Sequence, residues 1–164
     1  MQLENQFVVD APLERTWSTL LDIRRVAQCL PGAKLEDDAG DGTYRGSMRV
    51  SLGPMSLKYT GSAKLGDVDE AAHVATIEVQ AKEQKGQGTA TARIRNQLQP
   101  REGDATEVTV QTDLSITGRP AQFGRGIMED VAGKMLEDFA KRLQNEVLGG
   151  NRGAPSGAAE NAST

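Results

Sequence analysis

The sequence predicts an α+β domain in which a curved antiparallel sheet wraps around one long C-terminal helix, with two short helices after the first strand. Five stretches between Tyr44 and Ile116 alternate apolar and polar residues, as half-buried strands do. Short segments rich in glycine separate these stretches, which is typical of an antiparallel meander. Apolar residues at three- and four-residue spacings then follow Pro120 and indicate an amphipathic helix.

Four elements are predicted ahead of the meander: a strand, two short helices and a weak second strand. In chain order they are residues 1–10, 12–21, 22–29 and 34–38. Pro12 fits the first turn of the first helix, where a missing backbone N–H costs nothing. The segment Leu30-Pro31-Gly32 ends the second helix, because proline lacks the N–H donor and glycine takes the turn.

The long helix is predicted to run from Pro120 to about Leu148. At 1.5 Å per residue such a helix spans about 43 Å, so it can cover the whole concave side of the sheet. Gly149 and Gly150 are expected to end it. Residues 1–148 are therefore predicted to form the domain, and the polar residues 149–164 a disordered tail or linker.

The inward positions of the five meander strands include residues too small to fill a core. They are Gly46, Gly61, Ala63, Ala81, Gly88, Ala90 and Ala92. Because protein interiors pack as densely as organic crystals, something else must occupy the space above them. One interpretation is the wall of a cavity for a lipophilic ligand. The other is a bulky helix lying close to the sheet, and the pattern alone does not separate the two.

Composition excludes several classes of protein. A net charge of −4 argues against a dedicated nucleic-acid binder, because neutralising phosphates needs a basic surface. Cys29 is the single cysteine, so no internal disulfide can form, and a reducing cytoplasm fits. No N-terminal apolar segment suggests export, and no run approaches the ~20 apolar residues of a membrane span. Membrane contact is therefore expected to be peripheral.

The outward positions of the predicted sheet are polar and rather basic. They include Arg45, Arg49, Lys58, Lys64, Lys82, Arg93 and Arg95. This pattern is typical of a solvated sheet face. A docking patch for an acidic partner is the alternative.

The order of strand, two short helices, six-stranded antiparallel run and long helix is the plan of the helix-grip fold, and the chain resembles the START-like (SRPBCC) superfamily. Two segments narrow the match, "DAPLERTWSTLLDIRRVAQCLPGA" at residues 10–33 and "GRPAQFGRGIMEDVAGKMLEDFAKRL" at residues 118–143. Both resemble the G subunit of carbon monoxide dehydrogenase. The segment "LGPMSLKYTGSAKL" at residues 52–65 is similar as well, and the resemblance covers roughly residues 1–148.

This resemblance implies a non-catalytic accessory protein of molybdenum carbon monoxide dehydrogenase or a related hydroxylase. Members of the family are associated with attaching the enzyme to the membrane and coupling it to respiration. The chain agrees, since it lacks the cysteine ligands of an iron–sulfur cluster and a dinucleotide-binding fingerprint. We expect a cytoplasmic monomer, peripheral to the inner face of the cell membrane, with the dehydrogenase and not nucleic acid as its partner.

The predicted ligand is a lipophilic redox molecule, such as the respiratory quinone menaquinone. Trp17, Tyr44 and Tyr59 have apolar bodies with polar tips that could orient a ring carrying carbonyl oxygens, although ordinary core packing is the alternative for each. Arg125 could donate to a ligand carbonyl or form a surface ion pair. The predicted ligand-binding residues are Trp17, Tyr44, Met48, Met55, Leu57, Tyr59, Ile77, Ala90, Ala92, Ile94, Leu114, Phe123, Arg125, Ile127, Met128, Val131 and Met135.

No residue is predicted to be catalytic. His73 is the single histidine, and the sequence shows no partners for acid–base work beside it. No metal-ligand spacing appears, and no covalent cofactor is expected. Two other functions stay open: an adaptor or membrane anchor that binds no ligand, and a START-like enzyme that acts on an apolar small molecule.

Overall fold

The computed structural model describes residues 1–38 and 40–153 and confirms the predicted helix-grip architecture. The strands are β1 (Gln2–Val9), β2 (Ala33–Asp38), β3 (Thr43–Leu52), β4 (Met55–Asp69), β5 (Val74–Glu83), β6 (Thr89–Arg101) and β7 (Ala105–Ile116). The helices are α1 (Leu13–Leu20), α2 (Ile23–Cys29) and α3 (Arg125–Gly153), and a 3₁₀ turn (Arg119–Gln122) precedes α3.

The seven strands form one antiparallel sheet in the order β1-β7-β6-β5-β4-β3-β2. Strands β2 to β7 follow one another as a meander, and β1 pairs with β7 at the far side. Helix α3 crosses the concave side, and its backbone comes closest to β1 and β3, which lie near opposite edges of the sheet. The sheet therefore curls around a helix that bridges its two sides.

Two facing glycines mark a point where neighbouring strands of this sheet approach closely. Gly46 on β3 pairs with Gly61 on β4. A Cβ atom at Gly61 would overlap the backbone of Gln80, and one at Gly46 would overlap the backbone of Lys34. Glycine at such points lets strands approach and a sheet kink. These two glycines are therefore small because the sheet bends there, which revises their interpretation as space left for a ligand.

Two irregularities add to the curvature. The pairing of β4 with β5 shifts register between Leu65 and Val68, and the pairing of β2 with β3 shifts between Leu35 and Asp37. An extra residue on one strand of a pair bends that strand and increases its twist. Both shifts lie in the half of the sheet formed by β2 to β5.

The predicted bounds of the long helix are wrong at both ends. Pro120 lies in the 3₁₀ turn, Phe123 is extended, and α3 begins only at Arg125. A proline that suits the first turn of an α-helix suits a 3₁₀ turn equally well. At the other end α3 continues to Gly153, because a helical glycine costs about 1 kcal/mol without forbidding the helix.

The division between domain and tail stays a prediction, since residues 154–164 of the predicted tail lie outside the described residues. No helix within the described part of the chain is both long and apolar enough to cross a membrane.

The larger core joins α1, α2 and the C-terminal half of α3 to one end of the sheet. We call it the main cluster, and its buried members are Val9, Ala11, Trp17, Leu20, Val26, Cys29, Ala75, Leu98, Val108, Val110, Phe139, Leu143 and Val147. Arg15 Nη2 donates to the carbonyl oxygen of Val147 at 2.8 Å, and Arg25 Nε donates to Glu146 Oε2 at 2.8 Å. These charged contacts fix the C-terminal half of α3 to the two short helices.

Cys29 belongs to this core and is buried. Burial, with a smaller contribution from the charge of Glu146, raises the pKa of its thiol to about 11. The thiolate is the reactive form of cysteine, so Cys29 is a packing residue at neutral pH.

We expect Gly61→Ala to destabilise the protein by about 1–3 kcal/mol or more, because the added methyl group overlaps backbone that cannot move independently. Gly133→Ala is the matched control, since a Cβ at Gly133 of α3 meets no atom within 4 Å. This control should stabilise the helix by up to about 1 kcal/mol. Urea denaturation measures both values. Equal tolerance of the two substitutions would contradict the bend at Gly61.

Candidate ligand-binding groove

A second, smaller hydrophobic cluster lies between the β3–β4 hairpin and the first turns of α3. Its buried members are Leu52, Leu57, Tyr59 and Met128, and we call it the tip cluster. The residues packed around it are Val50, Met55, Ala81, Ala90, Ile116, Phe123 and Val131. The tip cluster and the main cluster share no residue. The concave side of the sheet is therefore filled at its two ends by separate cores.

Between the two clusters one row of residues crosses five strands in register. Tyr44, Ala63, Val79, Ala92 and Leu114 pair successively from β3 to β7. All five are half-buried, and none belongs to either cluster. Because neither core covers these apolar side chains, we interpret this strip of the concave face as a candidate groove, and we call the five residues the transverse row.

The middle of α3 is also loosely packed. Ala132, Gly133 and Met135 are half-buried. A Cβ atom at Gly133 would still meet no atom within 4 Å. A half-buried helix position without close neighbours indicates incomplete packing rather than full solvent exposure.

The Tyr44 end of the transverse row is covered from α2. The guanidinium of Arg24 lies 5.7 Å from the centre of the Tyr44 ring, within the range of a cation–π contact. Arg24 also pairs with Asp38 at 3.0 Å. The backbone N–H of Gly40 and the charge of Arg24 hold the pKa of Asp38 below its usual value. This exposed pair keeps the arginine over the ring.

Tyr59 lies in the tip cluster, on the same face of β4 as Ala63 and two inward positions away from it. Its side chain is 7% exposed, and its hydroxyl is buried with no hydrogen-bond partner among the described residues. Burial, and to a smaller extent the charge of Glu83, raises the pKa of Tyr59. The hydroxyl therefore stays protonated and able to donate at neutral pH.

Glu83 pairs with Tyr59 in register and is a buried carboxylate that the sequence pattern did not single out. Its oxygens accept from the backbone N–H groups of Lys58, Lys85 and Gln87 at 3.1, 2.7 and 3.2 Å. These bonds, that of Lys58 foremost, lower the pKa of Glu83. A signal was present, because the alternation of Ala75, Ile77, Val79 and Ala81 continues inward to residue 83.

Most of the predicted ligand-binding residues lie along this concave face. The tip cluster and its surroundings hold Met55, Leu57, Tyr59, Ala90, Phe123, Met128 and Val131. The transverse row holds Tyr44, Ala92 and Leu114; Met48 pairs with Tyr59, Ile77 with Ile94, and Met135 is half-buried on α3. Whether they bind a ligand stays a prediction.

Three predicted residues lie elsewhere. Trp17 belongs to the main cluster, and its indole Nε1 donates to Glu70 Oε2 at 2.7 Å. Arg125 is exposed; it donates to the carbonyl oxygen of Gln2 at 2.7 Å and pairs with Glu129 at 3.2 Å. Ile127 is 38% exposed. The polar tip of Trp17 is thus already engaged within the protein, and Arg125 forms a surface ion pair.

His73 lies beside Trp17 and away from the groove. The ring of Trp17 packs edge-on against it at 5.2 Å between centroids. His73 Nε2 lies 2.8 Å from Glu14 Oε2, so the imidazole joins the β4–β5 turn to α1. The structure places the histidine in a contact between elements.

The basic outer face is partly neutralised. Arg93 pairs with Asp67 at 3.0 Å and with Glu78 at 3.2 Å. Arg95 contacts only the amide oxygen of Gln111, at 3.3 Å, among the groups that the structure describes. An open depression of about 510 Å³ lies on this side, between Arg45 and Lys82. Of the two arginines, Arg95 therefore keeps more of its charge available.

The sequence model of one protein family, that of the carbon monoxide dehydrogenase G subunit (CoxG), matches residues 6–148. Comparison with curated proteins gave no match. Among solved structures, a conserved protein from Geobacillus kaustophilus is 22% identical with a TM-score of 0.78, and the alignment covers 90% of this chain and 95% of that one.

Two further structures share the fold at lower identity. The Zhui aromatase/cyclase from Streptomyces sp. R1128 is 15% identical with a TM-score of 0.64, over 96% of this chain and 99% of that one. A START superfamily protein from Mycobacterium smegmatis is 19% identical with a TM-score of 0.62, over 90% and 97%. At such identities the likeness shows the START-like fold and nothing finer.

We expect Ala92→Phe and Ala75→Phe to differ sharply in stability. Ala92 lies in the transverse row, where a phenyl ring can occupy the groove, so its variant should keep a midpoint of thermal unfolding near that of the native protein. Ala75 is 2% exposed within the main cluster, and the same ring there should cost about 1–3 kcal/mol or more. Thermal unfolding of both ligand-free variants measures the difference. Equal destabilisation would show that the groove is packed as tightly as the core.

Proposed function

This chain belongs to the CoxG family of carbon monoxide dehydrogenase, and from that premise we propose that it is a non-catalytic accessory protein that carries a lipophilic redox molecule. The proposed ligand is a respiratory quinone such as menaquinone, bound in the groove over the transverse row. The proposed role is to link a molybdenum carbon monoxide dehydrogenase, or a related hydroxylase, to the membrane and the respiratory chain.

The transverse row is the observation that carries this proposal. It crosses five strands between two filled clusters, and its side chains are apolar apart from one tyrosine hydroxyl. Five strands at about 4.8 Å spacing give the row a length of about 19 Å. That length suits a two-ring head group with the start of its isoprenoid chain.

The chemistry of the groove also suits a quinone. A quinone head is neutral, has two carbonyl acceptors and needs few donors, whereas its tail needs apolar cover. Tyr59 offers a buried donor on the tip-cluster side of the transverse row. Met48 on β3 and Met135 on α3 are half-buried, and their flexible side chains can adapt to a chain of variable shape.

The positions of Glu83 and His73 support a carrier rather than an enzyme. Acid–base catalysis needs a group that is free to exchange protons with the substrate. Glu83 is held by three backbone N–H groups, which keep it ionised. His73 is paired with Glu14 beside the main cluster. Neither group is placed to move a proton to or from a ligand in the transverse row.

We expect a short-chain menaquinone analogue to bind the purified protein saturably and near one-to-one in calorimetry. Ala92→Phe should weaken this binding more than tenfold, because the ring occupies the groove. Thr91→Phe adds the same ring one residue away, at an exposed position on the outer face of β6, and should leave the affinity unchanged.

Absence of saturable binding at micromolar concentration would refute the carrier role and favour an adaptor without a ligand. Equal loss in the two phenylalanine variants would place the ligand outside the groove.

If the outer sheet face docks the dehydrogenase, Arg95→Glu should weaken the association several-fold, most strongly at low salt, and leave quinone binding intact. A charge at the rim of an interface acts mainly on the association rate and its salt dependence. Lys141→Glu reverses an exposed charge on α3 and serves as the comparison. Surface plasmon resonance at two salt concentrations measures both. Loss on Lys141→Glu alone would move the docking surface to the helix.

A further inference from the structure

We infer that the hydroxyl of Tyr59 is the donor that selects a neutral carbonyl group in the ligand, in preference to an apolar ring without oxygen and to an anionic carboxylate. This inference rests on the proposed function, since it needs a ligand in the groove. It adds the chemical group that the site recognises and the residue that recognises it.

The hydroxyl of Tyr59 is buried without a partner inside the protein. Tyr59 is 7% exposed and lies with Leu52, Leu57 and Met128 in the tip cluster. Its hydroxyl has no partner among the described residues. Buried polar groups in proteins are bonded in the great majority of cases, because leaving one unpaired destabilises the fold. Phenylalanine would fill the same place without that cost. The hydroxyl is therefore explained by a hydrogen-bond acceptor that the ligand-free protein does not supply.

The position of Tyr59 along β4 places its ring beside the transverse row, on the side of the tip cluster. On the inner face of β4 the order is Tyr59, Gly61 and Ala63, since alternate residues share a face. Ala63 belongs to the transverse row, and Gly61 carries no side chain. Nothing on β4 therefore stands between the tyrosine ring and a ligand in the row.

Glu83 determines which acceptor suits the site. It faces Tyr59 across the β4–β5 pairing, and its oxygens are occupied by the backbone N–H groups of Lys58, Lys85 and Gln87. Among the described groups no hydrogen bond joins Glu83 to the tyrosine hydroxyl, which stays available. The negative charge of Glu83 remains close by and repels an anionic head group. A neutral acceptor such as a quinone carbonyl is not repelled by Glu83 and can accept a hydrogen bond from the hydroxyl.

The experiment compares three rings of similar size: 2-methyl-1,4-naphthoquinone, 2-methylnaphthalene and 2-naphthoate. The native protein should bind the quinone about tenfold more tightly than the hydrocarbon, the factor that one hydrogen bond of about 1.4 kcal/mol gives. The carboxylate should bind most weakly. Tyr59→Phe should remove the preference for the quinone by weakening only that ligand. In the infrared spectrum, the carbonyl stretch of the bound quinone should move to higher frequency in Tyr59→Phe.

Thr106→Val is the matched control for loss of a buried hydroxyl. Thr106 is fully buried, but its hydroxyl donates to the carbonyl oxygen of Ala11 at 2.8 Å. This variant should lower the midpoint of thermal unfolding by ~2–4 °C and keep the preference for the quinone. Tyr59→Phe should leave the midpoint of the ligand-free protein unchanged or raise it, because it removes an unpaired polar group.

The outcomes separate this inference from the proposed function. If the native protein binds the quinone and the hydrocarbon equally, or if Tyr59→Phe weakens both alike, the inference is wrong and the apolar groove remains. If none of the three rings binds, the proposed function fails and this inference fails with it.

Discussion

The close approach of backbone at Gly46 and Gly61, where no Cβ atom fits, is the constraint on which the rest of the structure depends. Because β3 and β4 come so near their neighbours there, the sheet bends, and the register shifts at Leu65–Val68 and Leu35–Asp37 carry the bend further. A flat sheet would meet α3 along one line only. The curled sheet brings β1 and β3 closest to the backbone of α3, while side chains of α3 pack on the central strands within the two clusters.

That geometry divides the interior into the main cluster, which stabilises the fold, and the tip cluster, which borders the candidate groove. The main cluster joins α1, α2 and the end of α3, and Arg15 and Arg25 add charged contacts there. The tip cluster is smaller and contains the unpaired hydroxyl of Tyr59. Among the described residues, the buried side-chain oxygen without a hydrogen-bond partner therefore lies in the tip cluster, beside the proposed groove.

Local periodicity was enough to predict the order and type of the elements, because strand alternation and the apolar stripe of a helix depend only on residues within one segment. It also placed Leu57, Tyr59 and Met128 on the concave side. It could not predict which small residues serve the bend and which the groove, since Gly61 is explained by the backbone of Gln80, nineteen residues away along the chain. Trp17 was predicted to bind the ligand because local sequence patterns do not reveal its hydrogen bond to Glu70. The start of α3 was misplaced because proline suits two kinds of turn.

The separation of the two clusters bears on how such a chain can change over generations. Substitutions in the transverse row alter the shape of the groove without touching the residues on which folding depends, so they escape purging for loss of stability. Substitutions in the main cluster lack that freedom. In the proposed carrier role, a lineage with this interior could exchange one lipophilic ligand for another by neutral drift at a few inward positions, while its scaffold stays recognisable.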